Sequence, residues 1–272
     1  MTAIRLHASE LAYLFSYANT ADIVGWGRDP FLPAATAQAD PNKWYASGAE
    51  RLAAANWLVE VPGEGATLDQ ALTEMVLALV DPALVFMSER KAEDGVRRMT
   101  VHVKDDTLVG MVRHADGMFE LTAYVDITAA AAASAAFLGT ARLPVQAGTR
   151  IDTTLEHLNG INALASNGQP EKVIAGLEAL GASTLDATSI ASAMTSPVAS
   201  GVLSILYCVE NTARDAQPYS VMTNTDDETW IIFPPASLRG PMSIERSSLT
   251  ALTGRVTISV AARLKMVQQS EA

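Results

Sequence analysis

The chain has 272 residues, 49% of them hydrophobic and 18% charged, and its 30 acidic against 19 basic residues give a net charge of −11. That composition excludes an intrinsically disordered chain, and the length suffices to bury an apolar core without covalent staples. The acidic balance argues against nucleic acid or anionic lipid as a partner, and the single cysteine, Cys208, excludes an internal disulfide.

From the N-terminus, Met1 to His7 carry no apolar stretch ending in a small-residue cleavage site, and the longest apolar run, residues 127–138, is shorter than the ~20 residues of a membrane helix. The expectation is a cytoplasmic protein with no membrane insertion. Ser9 reads as the N-cap of a first helix, with Leu11, Leu14, Phe15 and Ala18 on one face and an end near Asn19. The Gly/Pro/Asp-rich passage 25–41, with Trp26 and Phe31 in it and Trp44 just beyond, reads as an ordered loop because its aromatic rings are driven to bury. These rings cover one end of a helical layer or form an interaction surface. Residues 48–59 read as a helix through their alanines and Leu52, broken by Pro62-Gly63-Glu64-Gly65. Thr67 is expected to cap the next helix, whose positions Leu68, Ala71, Leu72, Met75, Val76 and Leu79 share a face, with Asp69 in its first turn.

Beyond Pro82 the hydrophobic period changes from 3.6 to 2. Runs 84–90, 99–104, 108–113 and 118–126 are separated by Glu93-Asp94-Gly95, Asp105-Asp106 and Ala115-Asp116-Gly117, which predicts a four-stranded antiparallel meander. Asp116-Gly117 is expected to be a two-residue turn of the I′ type. In the last run Glu120, Thr122 and Tyr124 face away from Phe119, Leu121 and Val125, so one sheet face is predicted to be wet or to meet a partner, with His102 on it. An Ala-rich helix over 127–138 would close the dry face, and residues 143–148 form a joint.

The plan then repeats. Thr67-Leu68-Asp69 recurs as Thr184-Leu185-Asp186, and Asp105-Asp106 as Asp226-Asp227, offsets of 117 and 121 residues. Helices are predicted over 152–164, 171–180 and 185–194, strands over 202–210, 219–223, 229–233 and 242–245, and a final helix over 249–267, where Gly254 and the β-branched run compete with helical spacing. The fold class is therefore α+β, a duplicated unit of helices followed by a β-meander. Residues 1–142 and 147–272 are quasi-two-fold halves of one compact domain.

Catalytic patterns are weak. His7, His102, His114 and His157 show no metal-ligand spacing, although His102 and His114 could approach across a hairpin. The paired aspartates suit turns better than general acid–base work. Ser88-Glu89-Arg90-Lys91 matches Ser-x-x-Lys, but the companion motifs of that chemistry are missing. Gly25-Trp26-Gly27 does not open a helix that could cradle phosphate, and Cys208 sits in an apolar run. The expectation is no catalytic residue, no metal and no cofactor.

The pattern formed by Ala49 to Leu58, Leu68 to Leu79, the strand runs 84–126, the helix 127–138 and their second copy from Asp152 onward resembles the EspG family of type VII secretion chaperones. The resemblance implies a non-enzymatic, quasi-two-fold chaperone that binds the tip of a helical substrate heterodimer and keeps it export-competent. It places partner binding on the first hairpin and sheet face, at Glu93, Asp94, Arg97, Arg98, His102, Glu120, Thr122 and Tyr124, with residues 183–200 contributing. A small-molecule binder or enzyme with a pocket between the halves, and a structural subunit of a larger assembly, stay open as alternatives.

Overall fold

The structure is a computed structural model describing residues 3–20, 22–33, 40–61, 65–92, 95–139, 149–235 and 240–270; the joint at 143–148 and the turn residues Glu93 and Asp94 lie outside the described residues. The first half runs β1 (Ala3–Leu6), α1 (Ala8–Tyr17), a 3-10 turn (Asp29–Phe31), α2 (Pro41–Ala54), β2 (Leu58–Val61), β3 (Gly65–Leu68), α3 (Gln70–Val80), β4 (Leu84–Ala92), β5 (Gly95–Lys104), β6 (Thr107–Arg113), β7 (Phe119–Tyr124) and α4 (Ile127–Phe137). The second runs β8 (Arg150–Thr153), α5 (Leu155–Ser166), α6 (Pro170–Ala179), α7 (Thr184–Thr195), β9 (Ala199–Val209), β10 (Thr212–Thr223), β11 (Thr229–Phe233), β12 (Met242–Arg246) and α8 (Leu249–Ser270). The predicted α+β meanders are present, and the final segment is helical throughout.

Helix starts are set by side chains that accept the orphaned first N–H groups. His7, not Ser9, caps α1: its Nδ1 accepts from the Ser9 N–H at 3.2 Å, while the Glu10 carboxylate accepts from the His7 N–H at 2.5 Å. Asp69 caps α3 by accepting from Ala71 and Leu72, whereas Thr67, the expected cap, pairs with Val59 between β3 and β2. The helix expected over 48–59 starts earlier, at Pro41 behind Asp40, and ends at Ala54; Asn56 takes φ +58 and the chain turns into β2.

The ten main strands form one sheet in the order β1-β7-β6-β5-β4-β9-β10-β11-β12-β8, which reads the same from both edges when each strand is replaced by its counterpart. The halves join through the antiparallel β4–β9 pair, Leu84 opposite Tyr207 and Lys91 opposite Ser200. Short edge strands β1 and β8, absent from the predicted elements, pair with β7 and β12.

Both faces of the sheet carry helices. On one, α1, α2 and α3 bury Leu11, Leu14, Leu52, Leu72 and Leu79 against Val109, Met111, Phe119 and Leu121, and α5, α6 and α7 bury Leu158, Val173 and Ile190 against Trp230 and Ile232. On the other, α4 and α8 pack Ala131, Ala135, Val256 and Val260 on Phe86, Val101, Ile205 and Phe233. The face predicted to be wet therefore lies under α4 and α8, and Tyr124 is half-buried there. Alternation identifies two faces; it does not say what lies over them.

The β6–β7 turn also differs from expectation. His114 and Met118 close a three-residue loop, with the Gly117 N–H donating to His114 O and Gly117 at φ +81. This is a type I turn followed by a left-handed glycine, not a two-residue I′ turn. Nothing lies within 4 Å of a Cβ added at Gly117, so Gly117→Val should cost only the backbone strain, roughly 1–2 kcal/mol, read as an earlier midpoint in urea unfolding with unchanged slope.

Candidate partner-binding groove

The two three-helix layers stand at opposite ends of one sheet face, with the central strands β4, β5, β9 and β10 as the floor between them. The halves treat this floor differently because their helix connections differ in length. Residues 18–40 separate α1 from α2, while Asn167 to Gln169 suffice between α5 and α6. Within the long connection, residues 22–33 fold over their side of the floor. Its tight turn, bridged from Ile23 to Gly27, sets Val24 against Val85, Met87, Leu206 and Cys208.

The aromatic residues of that loop are core. The Trp26 indole N–H donates to Thr100 Oγ1 at 2.8 Å and its ring meets Phe119 edge-on at 5.5 Å; Phe31 packs edge-on against Phe15 at 4.9 Å. Of the two roles open to this loop, the structure shows the covering one.

On the uncovered side lies a groove of ≈ 310 Å³. Its floor is Glu89, Lys91, Val96, Val202 and Met222, and Asn162 of α5 contributes to its wall. Val96 is 69% exposed, a solvent-facing valine in a strand. The neighbouring Arg98 is tied down: it pairs with Glu89 at 3.0 Å through Nε, donates to the Gly25 carbonyl, and lies over the Trp26 ring at 5.7 Å.

The residues expected to form one surface are split. Arg98 borders the groove. His102 is on the same sheet face but fully buried, its Nε2 at 3.0 Å from Thr100 Oγ1 and its Nδ1 without a partner. Burial pushes its pKa down to about 3. It is a core residue and not part of a wet face. Arg97 pairs with Arg90 and points to the α4 face. Glu120, Thr122 and Tyr124 lie on that face too; Glu120 approaches His114 Nε2 at 3.3 Å and accepts from Thr122 Oγ1 at 3.4 Å, and burial raises the Tyr124 pKa, aided by Glu120. Ser200, at the end of the 183–200 segment, does line the groove. Val202, Met222 and Asn162 were missed, and only Val96, a lone apolar residue between charged hairpin positions, carried a sequence signal.

The weak catalytic patterns come apart as well. Ser88 and Lys91 lie in one strand, where positions three apart point to opposite faces, and the Ser88 hydroxyl is buried. His102 is paired across from Val109 and does not meet His114. Cys208 is buried, its thiol pushed up to about 11, far from a reactive thiolate. Asp105 takes φ +50 in a hairpin turn, and Asp226 N–H donates to Asn224 Oδ1 at 3.0 Å, so both aspartate pairs build turns. Among the described residues no three His, Cys, Asp or Glu are placed to hold a metal ion, and no helix is long and apolar enough to cross a membrane.

Fold and groove together define a quasi-two-fold α+β scaffold with an open sheet floor between two helical layers. No family model matches the chain, and no curated protein matches it by sequence. Among solved structures it is similar in fold to the Mycobacterium tuberculosis type VII secretion system chaperone EspG5, solved in complex with the PE25-PPE41 dimer: TM-score 0.66 over 94% of each chain, at 12% identity.

Proposed function

We propose that this chain is a non-enzymatic cytoplasmic chaperone that binds a helical protein partner in the groove between its helical layers and keeps it competent for export. The observation that carries the reading is the similarity in fold to EspG5 across 94% of both chains. The groove supports it physically. An exposed valine beside Met222 and Val202 offers apolar area to a partner, and Glu89 and Lys91 supply charged groups next to it, Glu89 held by Arg98. The alternative of an enzyme needs convergent carboxylates with displaced pKa values in a cleft. Among the described residues the carboxylate held low is that of Asp116, which owes this to the Met118 N–H and to Arg5 in an exposed turn.

The test is a pull-down from the native organism with three proteins: wild type, Val96→Asp and Arg97→Glu. Arg98 is excluded because its contacts with Trp26 and Gly25 make it a stability residue. Val96→Asp should reduce the recovered helical partner at least ~10-fold, as expected for a buried interface anchor, with circular dichroism unchanged. Arg97→Glu, on the opposite face, should retain it. Loss through Arg97→Glu alone would move the surface to the α4 face, and recovery of no helical partner by wild type would remove the reading.

A further inference from the structure

A second opening lies at the other end of the central strands and towards the other face. It is a cleft of ≈ 940 Å³ where the β5–β6 turn, the start of α4, the end of β9 and Leu264 of α8 meet. Apolar side chains stand open to solvent in it: Val125 is 81% exposed and Val209 is exposed as well. Its rim carries Asp81, Asp105, Asp106, Asp126 and Glu210, against one base among the lining residues described, Lys104, whose ammonium already sits on the Asp81 carboxylate.

An exposed apolar floor inside a ring of like charges is unfavourable when empty, because the valines remain hydrated and the carboxylates repel one another. Turn and cap roles account for Asp105 and Asp126. They leave unexplained why charge of one sign surrounds open valines. A covering group that removes both costs needs apolar side chains spaced between cations.

We propose that this cleft docks a basic amphipathic segment of a second protein, its apolar side chains on Val125 and Val209 and its lysines or arginines on the carboxylate rim. The groove floored by Val96 and Met222 opens at the opposite end of β4 and β9, so both surfaces are accessible at once and the chain serves as a two-sided adaptor. The docking in this cleft goes beyond the chaperone reading and stands without it; the two-sided adaptor role alone rests on that reading.

The probe is a labelled synthetic Leu/Lys amphipathic peptide, titrated with the full chain by fluorescence anisotropy at low salt. Saturable binding is expected. Asp105→Asn/Asp106→Asn/Glu210→Gln should weaken it at least ~10-fold, since several rim charges act together; asparagine tolerates the positive φ of Asp105, so the turn is kept. Val125→Ser should also weaken binding. The control Glu50→Gln/Glu156→Gln/Glu171→Gln removes the same charge from exposed helix positions outside the cleft and should leave affinity unchanged. Equal losses in the two triple variants would mean attraction to net charge alone and would overturn the proposal. Absence of saturable binding, or a cleft that takes Mg²⁺ or spermidine but not the peptide, would overturn it too. Circular dichroism of each variant verifies folding.

Discussion

Gly48→Ala is expected to lower the melting temperature by about 5 °C, while the same substitution at Gly160 raises it. Gly48 lies where α2 crosses α1, and a Cβ added there would stand 2.1 Å from the Ser9 carbonyl oxygen and 2.7 Å from its carbon. The obstacle is backbone, so no rotamer change relieves it; the two helices must separate. Separation loosens Leu11, Leu14 and Leu52, all fully buried, in a core packed to crystal-like density. Overpacking of this kind costs roughly 3 kcal/mol, which in a chain of this length is about 5 °C. Gly160 is also helical, in α5, but exposed with nothing within 4 Å of an added Cβ. There alanine gains helix propensity and should stabilise by about 1 kcal/mol. Differential scanning calorimetry of both variants checks the pair, and a Gly48→Ala protein melting with wild type would show that α1 and α2 do not cross as closely as described.

The second large effect is acid sensitivity carried by His102. Unfolded, its imidazole titrates near 6.5; folded, burial holds it neutral down to about 3. Between these values the unfolded chain binds a proton that the folded one excludes, so stability is intact above pH 6.5 and declines as the pH falls towards 3. The loss from this one group between pH 7.5 and pH 5 is about 2 kcal/mol. His102→Leu removes the titration and the unpartnered Nδ1 while leaving Trp26 its bond to Thr100. Urea unfolding of wild type and variant at the two pH values should show the wild type losing about 2 kcal/mol more than the variant. Equal losses would mean that water reaches the ring in the folded state. His7, lowered by partial burial and Arg51, adds acid sensitivity of the same sign in both proteins and cancels in the comparison.

Much of the secondary structure was legible because it depends on near neighbours in the chain. The change of period after Pro82 marks the start of β4 within two residues, and the Asp-Gly and Asp-Asp pairs mark the hairpins. The helical spacing of Leu249, Leu252, Val256 and Val260 outweighed Gly254 and its β-branched neighbours. Where several local signals compete within a few residues, reading them alone failed. Thr67 and Asp69 are both good caps, and the pairing of Thr67 with Val59 decided for Asp69. The edge strands β1 and β8 are four residues each, too short for a periodic signal, and exist because β7 and β12 offer them free ladders.

The candidate site was less legible, and for a different reason. Arg97 and Arg98 are adjacent and alike in sequence, yet one points to the α4 face and the other locks onto Trp26 and Gly25, contacts formed with residues more than seventy positions away. His102 alternates like a solvent-facing residue and is fully buried, because the first helical layer and the Trp26 loop close over it. By itself the sequence determined the duplicated order of helices and meander, through propensity, periodicity and turn chemistry that act over a few residues. Only the tertiary structure decided which sheet faces are covered, and that one side of the central floor stays open, because both depend on how far a connection such as residues 18–40 reaches across the sheet, and no local pattern encodes that distance.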